Sequence, residues 1–119
     1  MAYVDRFTAT APIANGASLS GAVDLNRRGI AGLIMPAAWT TAAITFQVSV
    51  DGITYVNLYD TNGEASLPAT TVVAASRAIM LDPRAFVGCR YVKVRSGTSG
   101  SPVTQGQVSA ITILVREFV

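Results

Sequence analysis

Apolar and polar residues alternate with a period of two along most of this chain, and helical periodicity is nearly absent. The clearest run covers residues 44–50. Ile44, Phe46, Val48 and Val50 take one phase, and Thr45, Gln47 and Ser49 take the other. That pattern predicts a strand with one buried face and one polar outer face. Asp51-Gly52 follows at once, a strong hairpin signal because both residues tolerate the positive φ of tight turns. Residues 54–59 then read as the return strand, with Val56 and Leu58 on its inner face and Tyr55 and Tyr59 facing outward. Asp60-Thr-Asn-Gly63 closes it with another turn cluster.

The same pattern predicts the other elements. Residues 6–10 form a first strand, broken by Asn15-Gly16. Residues 18–25 form a second, with Leu19 and Val23 pointing inward. Residues 29–35 are apolar enough for a strand buried on both faces, and Pro36 ends it because proline has no amide to donate. Residues 37–43 have room for a short helical turn. Residues 70–81 carry β-branched positions and then Ile79 and Leu81. Pro83 to Phe86 reads as one helical turn capped by Asp82. Residues 90–95 alternate, with Val92 and Val94 inward and Tyr91, Lys93 and Arg95 outward. Residues 96–102 make a flexible loop by composition. Residues 108–115 form the last strand, with Ile111, Ile113 and Val115 on one face. About eight or nine short strands with a turn signal every eight to twelve residues is the pattern of an antiparallel β-sandwich or barrel. We read one domain over residues 1–119, without repeats or linkers.

Composition sharpens this picture. Half of the 119 residues are hydrophobic and only 13% are charged, well below the roughly 25% of ordinary soluble domains. A surface this poor in charge suits a protein that packs much of itself against neighbours, since obligate interfaces resemble cores. A small, weakly charged monomer is the alternative. The net charge of +2 is too small, and the basic residues too scattered, for a nucleic-acid-binding face. No run of apolar residues is long enough for a membrane helix. Residues 1–6 lack the basic start and apolar run of a signal peptide. The ends, 1–5 and 118–119, read either as interface arms or as frayed termini.

Candidate chemistry is sparse. The chain has no His and a single Cys, which excludes an internal disulfide and a conventional zinc site. Lys93 is the one lysine and sits on an alternating strand, so no nucleophile and base pair can be named. The acids Asp51, Asp60 and Asp82 each precede turn residues, which accounts for them as turn formers. Asp60, Asn62 and Glu64 place oxygens at alternate positions, but the full calcium-loop spacing is absent and a turn is expected. Cys89 reads as a small buried hydrophobe. The remaining candidates are contact residues. Trp39 either stacks on a ligand or partner or caps the core. Tyr55 and Tyr59 are two outward aromatics on one strand. Tyr91 and Arg95 add an aromatic and a bidentate cation on another strand. No enzyme activity, cofactor or metal is expected.

Two resemblances extend this reading. Ile44-Thr-Phe-Gln-Val-Ser-Val-Asp-Gly-Ile-Thr-Tyr-Val56 resembles the hairpin of discoidin-like, galactose-binding-like sandwiches, in which a strand runs into Ser-x-Asp-Gly-x-Thr/Ser-aromatic. Arg90-Tyr-Val-Lys-Val-Arg95 resembles the Arg-Tyr-Val-Arg-Ile strand of those domains. Both are core and turn features. They imply a jelly-roll sandwich and carry over no sugar-binding residue. The order of residues 13–25, Gly32-Leu-Ile-Met-Pro-Ala-Ala-Trp39, the Phe46 hairpin and residues 90–98 is similar to small proteins encoded in tailed-phage and prophage structural gene clusters. That resemblance implies a virion component made in the host cytoplasm. Its expected role is a head decoration (cement) protein on the major capsid protein, acting as a homo-oligomer, with a trimer favoured. A neck or tail accessory protein and a carbohydrate- or ligand-binding module are the alternatives.

Overall fold

The alternating stretches fold as strands, and hydrogen bonding sorts them into antiparallel sheets. The structure, a computed structural model, describes residues 6–117. The elements in chain order are β1 (Arg6–Ile13), β2 (Val23–Asp24), β3 (Arg28–Ile34), β4 (Ile44–Ser49), β5 (Val56–Asn57), β6 (Tyr59–Asp60), β7 (Gly63–Glu64), β8 (Ala78–Met80), a 3-10 turn (Pro83–Phe86), β9 (Tyr91–Ser96) and β10 (Ser109–Glu117). The first sheet has the order β1-β10-β3-β8 and the second β2-β9-β4-β5, while β6 and β7 form a separate hairpin. Every pair of strands is antiparallel. The terminal segments 1–5 and 118–119, read above as arms or frayed ends, lie outside the described residues.

The inner phase of each strand meets in one core. Ile111, Ile113 and Val115 of β10 join Ile30 and Leu33 of β3, Ile44 and Phe46 of β4, and Val92 and Val94 of β9. Each fully buried aliphatic side chain contributes about 1.5–3 kcal/mol relative to exposure. The helical turn expected at Pro83–Phe86 forms as a 3-10 turn, and it packs beside β3. Asp82 caps it by accepting the Arg84 amide (3.0 Å), and Phe86 meets Phe46 edge-on at 5.3 Å. Such a ring pair adds about 0.5–1.5 kcal/mol beyond burial.

One end of the sandwich is closed by polar groups instead. Gln105 is 1% exposed. Its Oε1 accepts the Thr40 amide (2.8 Å), and its Nε2 donates to the Thr40 carbonyl (3.0 Å) and the Ser96 hydroxyl (2.7 Å). Its backbone bonds Gly16 and Ala17. One residue, through its backbone and its satisfied side chain, thus joins the β1–β2, β3–β4 and β9–β10 connections.

Several expectations need correction. The strand over residues 18–25 shrinks to β2, because the Ser20 hydroxyl takes the Val94 amide (2.9 Å) that a ladder would use; side-chain competition of this kind interrupts pairing. The strand over 70–81 shrinks to β8. Residues 70–77 instead form a loop gathered by the Arg77 guanidinium, which donates to the carbonyls of Thr70 and Val72 at 3.1 Å. Residues 37–43 form no helical turn, since Gln105 fixes the Thr40 backbone in an irregular path. Val50 is not inward: β4 ends at Ser49, and Val50 is exposed. The polar face of β4 is not open either, for Thr45 and Ser49 are buried. The loop after β9 is held by a Gly97–Pro102 bridge and by reciprocal Thr98 and Ser101 bonds.

Gly97 makes that closure possible. Its φ is +91°, and a Cβ would sit 2.5 Å from the Ser101 carbonyl oxygen. Its amide donates to Ala43 (2.7 Å) and its carbonyl accepts the Thr45 hydroxyl (2.7 Å). Gly97→Ala is expected to lower stability by about 2 kcal/mol, from positive-φ strain and the backbone clash together. Urea denaturation should show an earlier midpoint with an unchanged slope.

Candidate functional site

The outer faces of the two sheets differ in chemistry. On the second sheet, cross-strand pairing aligns Asp24, Tyr91 and Ser49 in one row and Lys93, Gln47 and Asn57 in the next. This face is polar and is held by its own residues. Lys93 Nζ stands 4.3 Å from the centre of the Tyr55 ring, and Arg90 stands 5.2 Å from that of Tyr91. Arg90 also pairs with Asp24 through two bonds of 3.0 and 3.1 Å, which hold the Asp24 carboxyl below its ordinary value. Burial, with Tyr91 and Asp51 nearby, pushes the Tyr55 phenol up.

The Asp51-Gly52 turn packs against the same cluster. A Cβ on Gly52 would sit 3.1 Å from the Tyr91 ring, and the Gly52 φ is +79°. The Asp51 carboxylate accepts the Thr54 and Ile53 amides and the Ser49 hydroxyl, which lowers its pKa from the ordinary 3.8. A depressed folded-state value contributes stability above the ordinary carboxylate range, lost as pH falls through the folded value. Asp51→Asn should therefore lower stability throughout the neutral region, where the carboxylate contributes, and shrink the further loss below pH 3.8. Thermal unfolding across that range checks it.

Arg95 requires a correction. It takes the outward phase of β9 as expected but is only 5% exposed. The β6–β7 hairpin covers it: Glu64 lies 3.6 Å away, and Arg95 donates to Asn57 Oδ1 at 2.5 Å. Glu64 also accepts the Ser99 amide. The Asp60-to-Glu64 segment is therefore a clamp, with Asp60 capping its own turn through the Asn62 amide (2.7 Å). Removing one partner strands a buried charge, which typically costs about 3–5 kcal/mol. Arg95→Met is expected at the low end of that range, and Arg95→Met with Glu64→Gln should cost less than the two single changes summed. A double-mutant cycle in urea reads this directly.

The predicted aromatics are not gathered. Tyr55 and Tyr91 cluster at the Ser49 end of β4. Trp39 packs on the core beside Thr40, whose partner Gln105 also bonds Ser96 and so places it at the Ile44 end. A six-residue strand separates them by roughly 17 Å. Tyr59 lies exposed on the β6–β7 hairpin. No shared stacking platform is formed, and both ring cations come from the chain itself. A groove of about 350 Å³ opens beside β5 instead, lined by Val48, Val56, Leu58, Ala85 and Cys89. Val56 takes the expected inner phase but forms the lip of this groove and is exposed. Cys89 is half-buried, its thiol pushed up by desolvation. Among the described residues no group of three or more His, Cys, Asp or Glu is placed to hold a metal ion, and no helix is long and apolar enough to cross a membrane.

The first sheet presents a surface that the sequence reading missed. Its outer rows run Thr10, Thr112, Ile34, Ala78 and Thr8, Leu114, Gly32, Met80, with Pro12 beside Ala110. None is charged. A Cβ on Gly32 would meet the Ile79 carbonyl oxygen at 2.8 Å, Met80 Cε at 2.9 Å and Leu114 Cδ1 at 3.2 Å. The missing side chain lets Met80 and Leu114 lie flat across the sheet. Among the described residues, charge enters the outer rows at one end, where Arg116 pairs with Arg6. The signal was present in the phase opposite Ile111 and Ile113, where Ala110, Thr112 and Leu114 take the place of charged residues.

Comparison with family models, with curated proteins and with solved structures returned no match.

Proposed function

We propose that this chain is a non-enzymatic structural protein of a tailed-phage virion, a jelly-roll-type sandwich that decorates the head by packing on the major capsid protein. The observation that carries this reading is the uncharged outer face of the β1-β10-β3-β8 sheet. An ordinary solvated sheet face carries charges, whereas the centre of a packed interface is depleted of them. Ile34 and Met80 are 43% and 65% exposed on this face, so apolar area is available for burial there. The resemblance to phage structural gene products supplies the partner class. Repetition on a symmetric shell turns modest single contacts into durable attachment. A neck or tail position uses the same face against a different neighbour.

The polar second sheet supports this division of labour, because its side chains are occupied with one another. The aromatics of the carbohydrate-binding alternative stand apart, which leaves that reading with less support.

Thr112→Arg places a charge at the centre of the neutral face, on a half-buried position. It is expected to weaken binding to emptied phage heads at least tenfold, since a desolvated unpaired charge costs more than 1.4 kcal/mol. Tyr59→Ala, on the far hairpin, should bind like the parent chain. Co-sedimentation with purified heads reads both. Binding of the parent that survives Thr112→Arg unchanged would sink the assignment to this face, and no binding to any virion component would sink the virion role.

A further inference from the structure

Strand edges are managed unevenly in this molecule. Three of the four edges of the two main sheets are blunted by brevity: β8 has three residues, and β2 and β5 two each. The fourth, β1, is eight residues long, and among the described residues its one strand neighbour is β10. Alternate amides and carbonyls of β1 therefore face away from the sheet. No residue from Phe7 to Ile13 is charged, so the Lys or inward charges that protect long edges are absent. Pro12 is consistent with an edge and removes one donor near the end of the strand.

We propose that β1 pairs with β1 of a second copy, antiparallel about a two-fold axis, so that the two first sheets run together as one. A free strand edge is satisfied by another strand, and strand addition draws its affinity from main-chain hydrogen bonds. Charge selects the partner and its direction. An antiparallel copy sets Arg6 beside the Pro12-Ile13-Ala14-Asn15 end of its neighbour, which has no charge. A parallel copy sets Arg6 beside Arg6. The pairing also doubles the area of the neutral outer face without covering it. A single edge repeated on itself is isologous and closes as a dimer, a proposal that competes with the trimer expected above. The inference does not depend on the virion reading.

The test uses the intact chain between micromolar and millimolar concentration. Light scattering should show the mass rising toward twice 12.4 kDa. Hydrogen exchange should show the solvent-facing amides of β1 becoming protected in step with that rise. Thr10→Lys, on an exposed position of β1, should hold the chain at monomer mass with an unchanged urea midpoint, because a lysine on an edge opposes strand addition. Met80→Lys, on the same face but at the β8 edge, should dimerise normally. The pairing is overturned if the outward β1 amides exchange fast at every concentration, or if Thr10→Lys self-associates like the parent. It is also overturned if both lysine variants lose self-association equally, since the face and not the edge then joins the copies. Head binding by a monomeric chain removes only the edge pairing, while dimers that ignore virion particles remove only the virion role.

Discussion

The fit of two apolar strand faces against each other is the constraint on which the rest of this molecule depends. Ile111 and Ile113 of β10 and Val92 and Val94 of β9 are all fully buried, and each comes from a strand with neighbours on both sides. Period-two alternation then commits the opposite phase of every strand to the outside. One sheet turns Thr, Ala, Leu and Met outward, the other Asp, Lys, Gln, Asn and Tyr. The chemical contrast between the two faces is thus a by-product of a single shared core, and neither face can be altered in register without emptying the interior.

Much of the fold was legible because it is local. The phases of residues 44–49 and 109–115 were readable, as were the Asp51-Gly52 turn and the Asp82 cap, since each is specified within a few residues. Failures came where a distant group intervened. Nothing near Arg95 announces its burial, because the covering hairpin arrives from residues 59–64. The strand over residues 18–25 failed for a local reason of another kind, a serine hydroxyl substituting for a backbone partner. The neutral face required strand order. Its rows come from β1, β10, β3 and β8, which are not consecutive in the chain, so alternation alone never places Thr10 beside Thr112.

The buried polar groups show how this sandwich closes its ends without long loops. Gln105 and the Arg95–Glu64 pair both sit under connections that would otherwise lie loose on the surface. Each is satisfied by several partners, which is the condition under which buried polar groups specify a structure instead of weakening it. Phe86 does the equivalent work with apolar area.

The smoothness of the first sheet over Gly32 has a kinetic corollary. With Met80 and Leu114 laid across it and no charge in its central rows, the middle of this face has no charge of its own to steer an approaching surface. A partner docking there would be met at the unassisted, orientation-limited rate of about 10⁵–10⁶ M⁻¹s⁻¹, nearly indifferent to ionic strength. Shape then decides how long a contact lasts, and crowding of copies, not attraction at a distance, decides how often one begins.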